Sequence, residues 1–493
     1  MDRVRTFPYL RQDFAASLVV FLVALPLCVG VAVASGVPAE LGLVTGIVGG
    51  IVTGLMRGSS LQVSGPAAGL TVLVFEAVQS FGLPALGVIV LTTGLLQVGM
   101  GALRLGRWFR AISVSVVEGM LAGIGLVLIA GQLYAAAGVD APLGTGKVTG
   151  IPGLLVDAVS SPAALTSLAL GASTIALVVG WRRMPKRVRA VPGALAAVVL
   201  ATLATLVFDL PVETVRVQGL LDAVQVPALS EFGGLATLSL LGTVAAFTLI
   251  ASAESLFSAA AVDRLHDGPR TQYDKELMAQ GTGNTVCGIL GALPMTAVIV
   301  RSSANVQAGA RTRASRVLHG VWLLLFAALL PSALALIPLP ALAGILIHAG
   351  WKLIPLRSLV PLWREHRGEA MILVVTAVAI VTINMFEGVL IGLALSVAKA
   401  AWDASHIKLE VVDSSPDGVR ARLSGNATFL RLPKILDSLE ALPDDRPVSL
   451  DLSGLHHLDH ACRTALENWA ERHSSSGTEP VRLTRDDVVT TAP

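Results

Sequence analysis

Fourteen apolar stretches follow one another at 14–34, 39–56, 66–79, 85–103, 112–135, 164–181, 191–209, 236–261, 277–292, 296–308, 317–336, 339–354, 369–384 and 386–402. Most approach the roughly 20 residues that a helix needs to cross the hydrocarbon of a bilayer, and the shorter ones fit half-helices enclosed by protein. Only 14% of the 493 residues are charged, against about 25% in a soluble chain. A soluble enzyme is nearly excluded, and an all-α polytopic membrane protein remains. The basic segment Met1–Arg11 before the apolar run Phe14–Ala34 has the look of a signal peptide. That run is about twice the usual length of a signal core, so it is expected to stay as the first span. Cys28, Cys287 and Cys462 lie far apart and match no metal-ligand spacing, so neither a disulfide framework nor a metal or other cofactor is expected.

Lys and Arg test the count, because short cytoplasmic loops collect them. With the N-terminus inside, the inner loops hold Arg3, Arg5 and Arg11; Arg57; Arg104, Arg107 and Arg110; Arg182, Arg183, Lys186, Arg187 and Arg189; Arg264, Arg270 and Lys275; Arg311, Arg313 and Arg316; Lys352, Arg357, Arg364 and Arg367; and Lys399. The outer loops hold only Lys147 and Arg216. One span too many or too few would reverse every later loop. A multi-pass protein of the plasma (inner) membrane with both ends cytoplasmic is therefore expected, embedded in lipid.

After Trp402 the composition becomes charged, which divides the chain into a membrane domain, 1–403, and a soluble one, 404–493. Strand-like alternation at 406–412 and 419–423, an amphipathic helix at 429–442, an apolar strand at 448–452 and a helix at 461–473 predict a small α/β fold. His456, His457, His460 and Cys462 fall in a predicted strand-to-helix loop without further ligands, so they are not read as a metal site.

Segments three and ten are short, and each begins at a proline among small residues: Ser64-Gly65-Pro66-Ala67-Ala68-Gly69 in one, Pro294-Met295-Thr296 in the other. They lie seven segments apart, and an odd number of spans per half makes two halves run in opposite directions, as in a 7+7 inverted repeat. Interrupted helices of such repeats face each other near mid-membrane, where their free N–H groups and positive dipole ends attract an anion. The expected anion site therefore comprises Ser64, Gly65, Pro66, Ala67 and Ala68 from one side and Thr296, Ala297, Val298 and Arg301 from the other. Arg301 is the only Lys or Arg well inside a predicted span, placed to neutralise an anion or to pair with an acid. That acid is Glu254, in segment eight, where an ionised carboxylate costs about 2.5–3.5 kcal/mol on insertion scales unless it meets a cavity, a proton or a cation. Ser258 lies four residues on, hence on the same face, and the two are the candidate coupling-ion site for H+ or Na+. Glu76, Glu118 and Glu387 fall near predicted span ends. Gln132, Asn284 and Asn305 are candidate interhelical hydrogen-bonding groups, and Gly46, Gly49 and Gly50 candidate close-packing positions.

No Walker A loop, dinucleotide fingerprint or nucleophile elbow is present, so no enzyme reading competes. An aromatic content of 5% with loop-borne basic residues argues against nucleic acid.

Over nearly its whole length the sequence resembles the SulP sulfate-permease family of anion transporters. The residues that carry the likeness are Asp13-Phe14, Val23-Ala24-Leu25-Pro26, Val63-Ser64-Gly65-Pro66, Glu254, and Asn305 to Gly309. The resemblance implies fourteen spans in two inverted repeats, with a core domain of segments one to four and eight to eleven and a gate domain of the rest. It also implies substrate between segments one, three, eight and ten, elevator-like movement, and a homodimer. The tail resembles a STAS domain at Val448 to Gly454 and Leu458-Asp459, but His460-Ala461-Cys462 follow where related modules place a phosphorylatable Ser. Sodium-coupled bicarbonate members carry Asp where this chain has Glu254, so proton coupling is at least as attractive here as sodium. The expected function is secondary active transport of a small inorganic anion, with sulfate or bicarbonate leading. An anion channel, a chloride/bicarbonate exchanger and a dicarboxylate transporter are the alternatives.

Overall fold

A computed structural model describes residues 9–493 except 112, 140, 143–145, 186–187, 189–190, 414–417, 444–446, 477–480, 486–487 and 492–493. Arg3, Arg5, Lys186, Arg187 and Arg189 lie outside the described residues. Each predicted segment is a helix: α1 (Leu10–Ala34), α2 (Ala39–Leu55), α3 (Thr71–Phe81), α4 (Leu83–Ala102), α5 (Val114–Ala137), α6 (Pro162–Gly180), α7 (Gly193–Phe208), α8 (Leu238–Val262), α9 (Tyr273–Ile289), α10 (Ile299–Gln307), α11 (Ala314–Leu329), α12 (Leu339–Leu353), α13 (Arg367–Thr382) and α14 (Met385–Ala404). Among them α1, α4, α5, α6, α8 and α14 are each long and apolar enough to cross a bilayer, as is the run from α12 to Glu365. The chain is an integral multi-pass membrane protein.

Several expected element ends shift, among them the starts of segments three, at Thr71, and nine, at Tyr273. Segment eleven begins three residues earlier, at Ala314, and stops at Leu329; Pro331, which cannot continue a helix, starts a separate turn at Pro331–Ala335. Short helices at Ile151–Ser160 and Leu356–Glu365 are additions to the predicted set.

The packing partners repeat with a shift of seven. Helix α4 packs on α9, and its counterpart α11 packs on α2. The α1–α11, α1–α2 and α1–α10 contacts recur as α8–α4, α8–α9 and the contact of α8 with the Ala68–Leu70 turn that leads into α3; α5–α13 recurs as α12–α6, and α5–α12 maps onto itself. This is the inverted repeat expressed as contacts. Close approach needs small residues: a Cβ on Gly46 would lie 2.7 Å from Cys28 Sγ, and one on Gly50 2.5 Å from Gly320 Cα.

The structure divides into two compact units, Met1–Leu393 and Ala394–Pro493. The second carries the sheet β3 (Ile407–Asp413), β4 (Val419–Ala427), β5 (Val448–Leu458), β6 (Arg482–Arg485) and β7 (Val488–Thr491), in that spatial order. The β4–β5 and β5–β6 pairs are parallel and the edge pairs antiparallel. Helices α15 (Leu432–Glu440) and α16 (His460–Ser476) cover a core of Leu423, Leu450, Ile435, Leu466 and Trp469. β5 runs six residues beyond its predicted end because it keeps pairing with β4 through register shifts, so His457 stands opposite Asn426 rather than in a loop.

Asp459 caps α16, accepting from Cys462 N at 2.8 Å and Phe429 N at 2.6 Å. Partial burial works against its ionisation, but these N–H groups outweigh it and hold the carboxyl below its ordinary range. Burial, then the Asp459 carboxylate, push the Cys462 thiol up to about 12. Asp459→Ala is expected to destabilise α16 by about 1 kcal/mol at neutral pH, measured as faster amide exchange of its first turns in the detergent-solubilised chain. A depressed folded pKa gives stability that is present above the unfolded value near 3.9 and lost as pH falls through the folded one. The gap between variant and parent should therefore close below about pH 4.

Candidate anion and coupling site

The chain cannot leave backbone polar groups bare inside a membrane, so every break in a helix must be satisfied by protein. Segments three and ten meet this demand together. Before α3 the chain is extended as β1 (Ser64–Pro66), before α10 as β2 (Met295–Ala297), and the two pair antiparallel with Gly65 opposite Thr296. Polar side chains complete the crossing. Asn284 exchanges bonds with Met295 O at 3.1 Å and Met295 N at 2.7 Å. Asn305 donates to Leu61 O at 2.9 Å, and Ser302 Oγ accepts from Val63 N at 2.9 Å. Gln62 donates to Ser255 O at 2.9 Å, and Thr45 donates to Leu293 O at 3.0 Å. Asn284 and Asn305 thus hydrogen-bond between segments as their positions predict.

The structure brings all the predicted anion-site residues to this crossing. Ser64, Gly65 and Pro66 form β1; Thr296 and Ala297 belong to β2; Ala67 and Val298 are extended residues just before the helical turns. Ala68 opens the 3-10 turn that leads into α3. The first N–H groups of the Ala68–Leu70 turn and of α10 lack intrahelical acceptors by geometry, whereas Leu70 N, Thr71 N and Val298 N are engaged by Ala67 O, Ala68 O and Val63 O. Ser64 Oγ is already engaged, accepting from Gln280 Nε2 at 2.7 Å.

Glu254 faces this junction from α8. A Cβ on Gly69 would lie 2.7 Å from Glu254 Oε1, so the carboxylate occupies space that only glycine leaves open, at the N-terminus of segment three. Glu254 Oε2 and Thr71 Oγ1 are buried without hydrogen-bond partners, and the Thr296 hydroxyl lies beside the Glu254 carboxyl. Ser258 is buried one turn along α8.

Arg301 is 1% exposed. Its Nη2 donates to Pro66 O at 3.2 Å, Nη1 lies against the Cα face of Gly65, and Nε and Nη1 have no hydrogen-bond partners. Among the described residues it is not ion-paired with Glu254. The cation stands on the Gly65 side of the crossing and the carboxylate on the Gly69 side.

Sequence reasoning missed a second layer. Arg316, read as a loop residue, lies in the first turn of α11 and is 1% exposed. Its Nη1 donates to Ser59 O at 2.5 Å and Nη2 to Thr53 O at 2.9 Å. Glu276, fully buried, accepts from Ser59 N at 2.7 Å and from Gln280 Nε2 at 2.7 Å. Arg316 and Glu276 attract each other, and together they fix the 56–61 loop that leads into β1. Asp13 accepts from Arg311 N at 2.7 Å, Thr312 N at 3.0 Å and Thr312 Oγ1 at 2.5 Å, tying the start of α1 to the loop before α11. Asp13 was marked in the sequence only by its place before the first apolar run and by the family likeness of Asp13-Phe14; nothing local marks Glu276 or Arg316.

The family described as "Sulfate permease family" matches residues 10–376. The "Putative sulfate transporter YvdB" of Bacillus subtilis is 28% identical over 78% of this chain and 72% of its own. The "Bicarbonate transporter BicA" of Picosynechococcus is 26% identical over 94% of this chain and 87% of its own. Among solved structures, the transmembrane domain of a cyanobacterial BicA superposes with a TM-score of 0.67 at 24% identity, over 79% of this chain and 98% of that one. The murine Solute Carrier 26 family member A9 anion transporter, inward-facing, gives 0.79 at 15% identity, over 96% and 85%.

Proposed function

The chain belongs to the sulfate permease family, and on that premise we propose that it is a secondary active transporter of a small inorganic anion, sulfate or bicarbonate, driven by a proton or sodium gradient. The observation that carries this reading is the crossing itself. Two helix N-termini and a buried guanidinium offer positive potential, while the Glu254 carboxyl stands beside the crossing with no cation paired to it among the described residues. The first-turn N–H groups of the Ala68–Leu70 turn and of α10, with Arg301 behind them, attract the anion. Glu254 with Ser258 takes the coupling cation: a carboxylate that nothing in the protein neutralises binds a proton or sodium ion more readily than it stays bare. Relatives bearing the names sulfate transporter and bicarbonate transporter support the substrate pair.

Alternating access follows as movement of a core, α1–α4 with α8–α11, against a gate, α5–α7 with α12–α14. The crossing lies wholly within the first group, so it would travel as one body. We place both ends in the cytoplasm, from the basic inner loops, in an inner-membrane homodimer whose tail is a STAS-type module.

The test is uptake by proteoliposomes of sulfate, bicarbonate, chloride and fumarate, each with and without an imposed proton or sodium gradient. Concentrative uptake of sulfate or bicarbonate under one gradient is expected. Flux that never exceeds equilibrium would make the protein a channel, strict chloride dependence an exchanger, and preference for fumarate a dicarboxylate carrier. Arg301→Ala is expected to raise the KM for the anion by about 10- to 100-fold, the loss of a charge-assisted hydrogen bond.

A further inference from the structure

One buried group is used neither by the anion reading nor by the packing. His319, on α11, is fully buried, and neither ring nitrogen has a hydrogen-bond partner. Leaving such a group unsatisfied costs free energy, so it normally answers a neighbour or a trapped water. Its neighbours can be located. Gly320 packs on Gly50, and Leu323, one turn beyond His319 on the same face, lies 2.9 Å from the Cβ position of Gly46. Cys28 Sγ covers Gly46 from α1, and Arg301 reaches the same floor, with the Cβ position of Gly65 lying between its Nη1 and Gly46 Cα. Arg301 and Arg316 are the charges that act on His319, the Arg316 backbone carbonyl lies beside its ring, and the Cys28 thiol lies beside the Arg301 guanidinium. Arg301 Nε and Nη1 are two buried donors without acceptors, and His319 is a buried imidazole without a donor on which the Arg301 charge acts.

We propose that His319 is the positioning residue of the anion site: its unprotonated ring nitrogen, through one trapped water, accepts from Arg301 and keeps the guanidinium aimed at the β1–β2 crossing. An acceptor there must be uncharged. A carboxylate would pair with Arg301 and cancel the potential that draws the anion, whereas a neutral imidazole orients the guanidinium and leaves its charge intact. The proposal rests on the anion-binding role given to Arg301.

The experiment compares sulfate and bicarbonate uptake by His319→Leu, His319→Gln, Arg301→Ala and the Arg301→Ala/His319→Leu double variant. Leu should raise KM about 10-fold with kcat changed less than about 3-fold, and Gln, which keeps an acceptor, should restore KM to within about 3-fold of the parent. In the Arg301→Ala background, His319→Leu should add less than about 2-fold, because the group it positions is gone. An Arg301→Ala protein with parental KM would refute the anion site itself. An impaired Arg301→Ala beside a parental His319→Leu, or additive effects in the double variant, would refute the positioning role. If the Leu protein does not assemble, a Gln protein with KM raised as far as that of Arg301→Ala overturns the proposal, and one near parental KM upholds it.

Discussion

Glu254→Gln is expected to abolish concentrative uptake while leaving the anion able to bind. The substitution keeps the shape of the side chain beside Gly69 and Thr296 but removes its ability to take a proton or hold a cation. A tenfold proton gradient is worth about 1.4 kcal/mol, enough for tenfold accumulation at one proton per anion. In the Gln variant the accumulation ratio should fall to one under either gradient, with counterflow of labelled anion retained. Retained counterflow separates lost coupling from lost binding, which Arg301→Ala affects instead. If Glu254→Gln still accumulates anion as the parent does, the coupling site lies elsewhere.

Glu276→Ala should have the largest effect on stability. The carboxylate is fully buried, accepts from Ser59 N and Gln280, and faces Arg316. Removing this buried acceptor leaves its two donors unsatisfied, at about 1–3 kcal/mol each, and takes away the charge that acts on Arg316. The Ser59–Leu61 loop and Gln280 lose their anchor too, and Gln280 is what holds Ser64 Oγ in β1. The expected result is a sharply lower melting temperature in detergent and poor yield, with a lesser loss for Glu276→Gln, which keeps an acceptor. A Glu276→Ala protein as stable as the parent would show that the loop is held by other contacts.

The architecture was readable because membrane burial leaves a strong trace: long apolar runs, and prolines among small residues where a helix is interrupted. Ser64 to Ala68 and Thr296 to Val298 were legible for that reason, as were Arg301 and Glu254, charges where charges are expensive. The supporting layer was not. Arg316 contacts the chain 257 and 263 residues away, Glu276 217 away, and Asp13 nearly 300 away. A local pattern cannot carry such pairings. Arg316 was further disguised by its place in the first turn of α11, where the sequence looks like the end of a basic loop. His319 sits in an amphipathic stretch where a histidine signals nothing.

The antiparallel pairing of β1 with β2 also bears on how the protein is made. Ser64 meets Ala297 only after about 230 further residues have been synthesised, which at 5–20 residues per second takes about 10–50 s. Over its last part, between Phe208 and Ala297, about 90 residues or roughly 4–18 s, the first seven helices stand complete with a half-built crossing, its strand backbone bare of its partner. The nascent first half is therefore a distinct, polar-cored species with its own lifetime in the bilayer, and insertion is complete only when the second half arrives to close it.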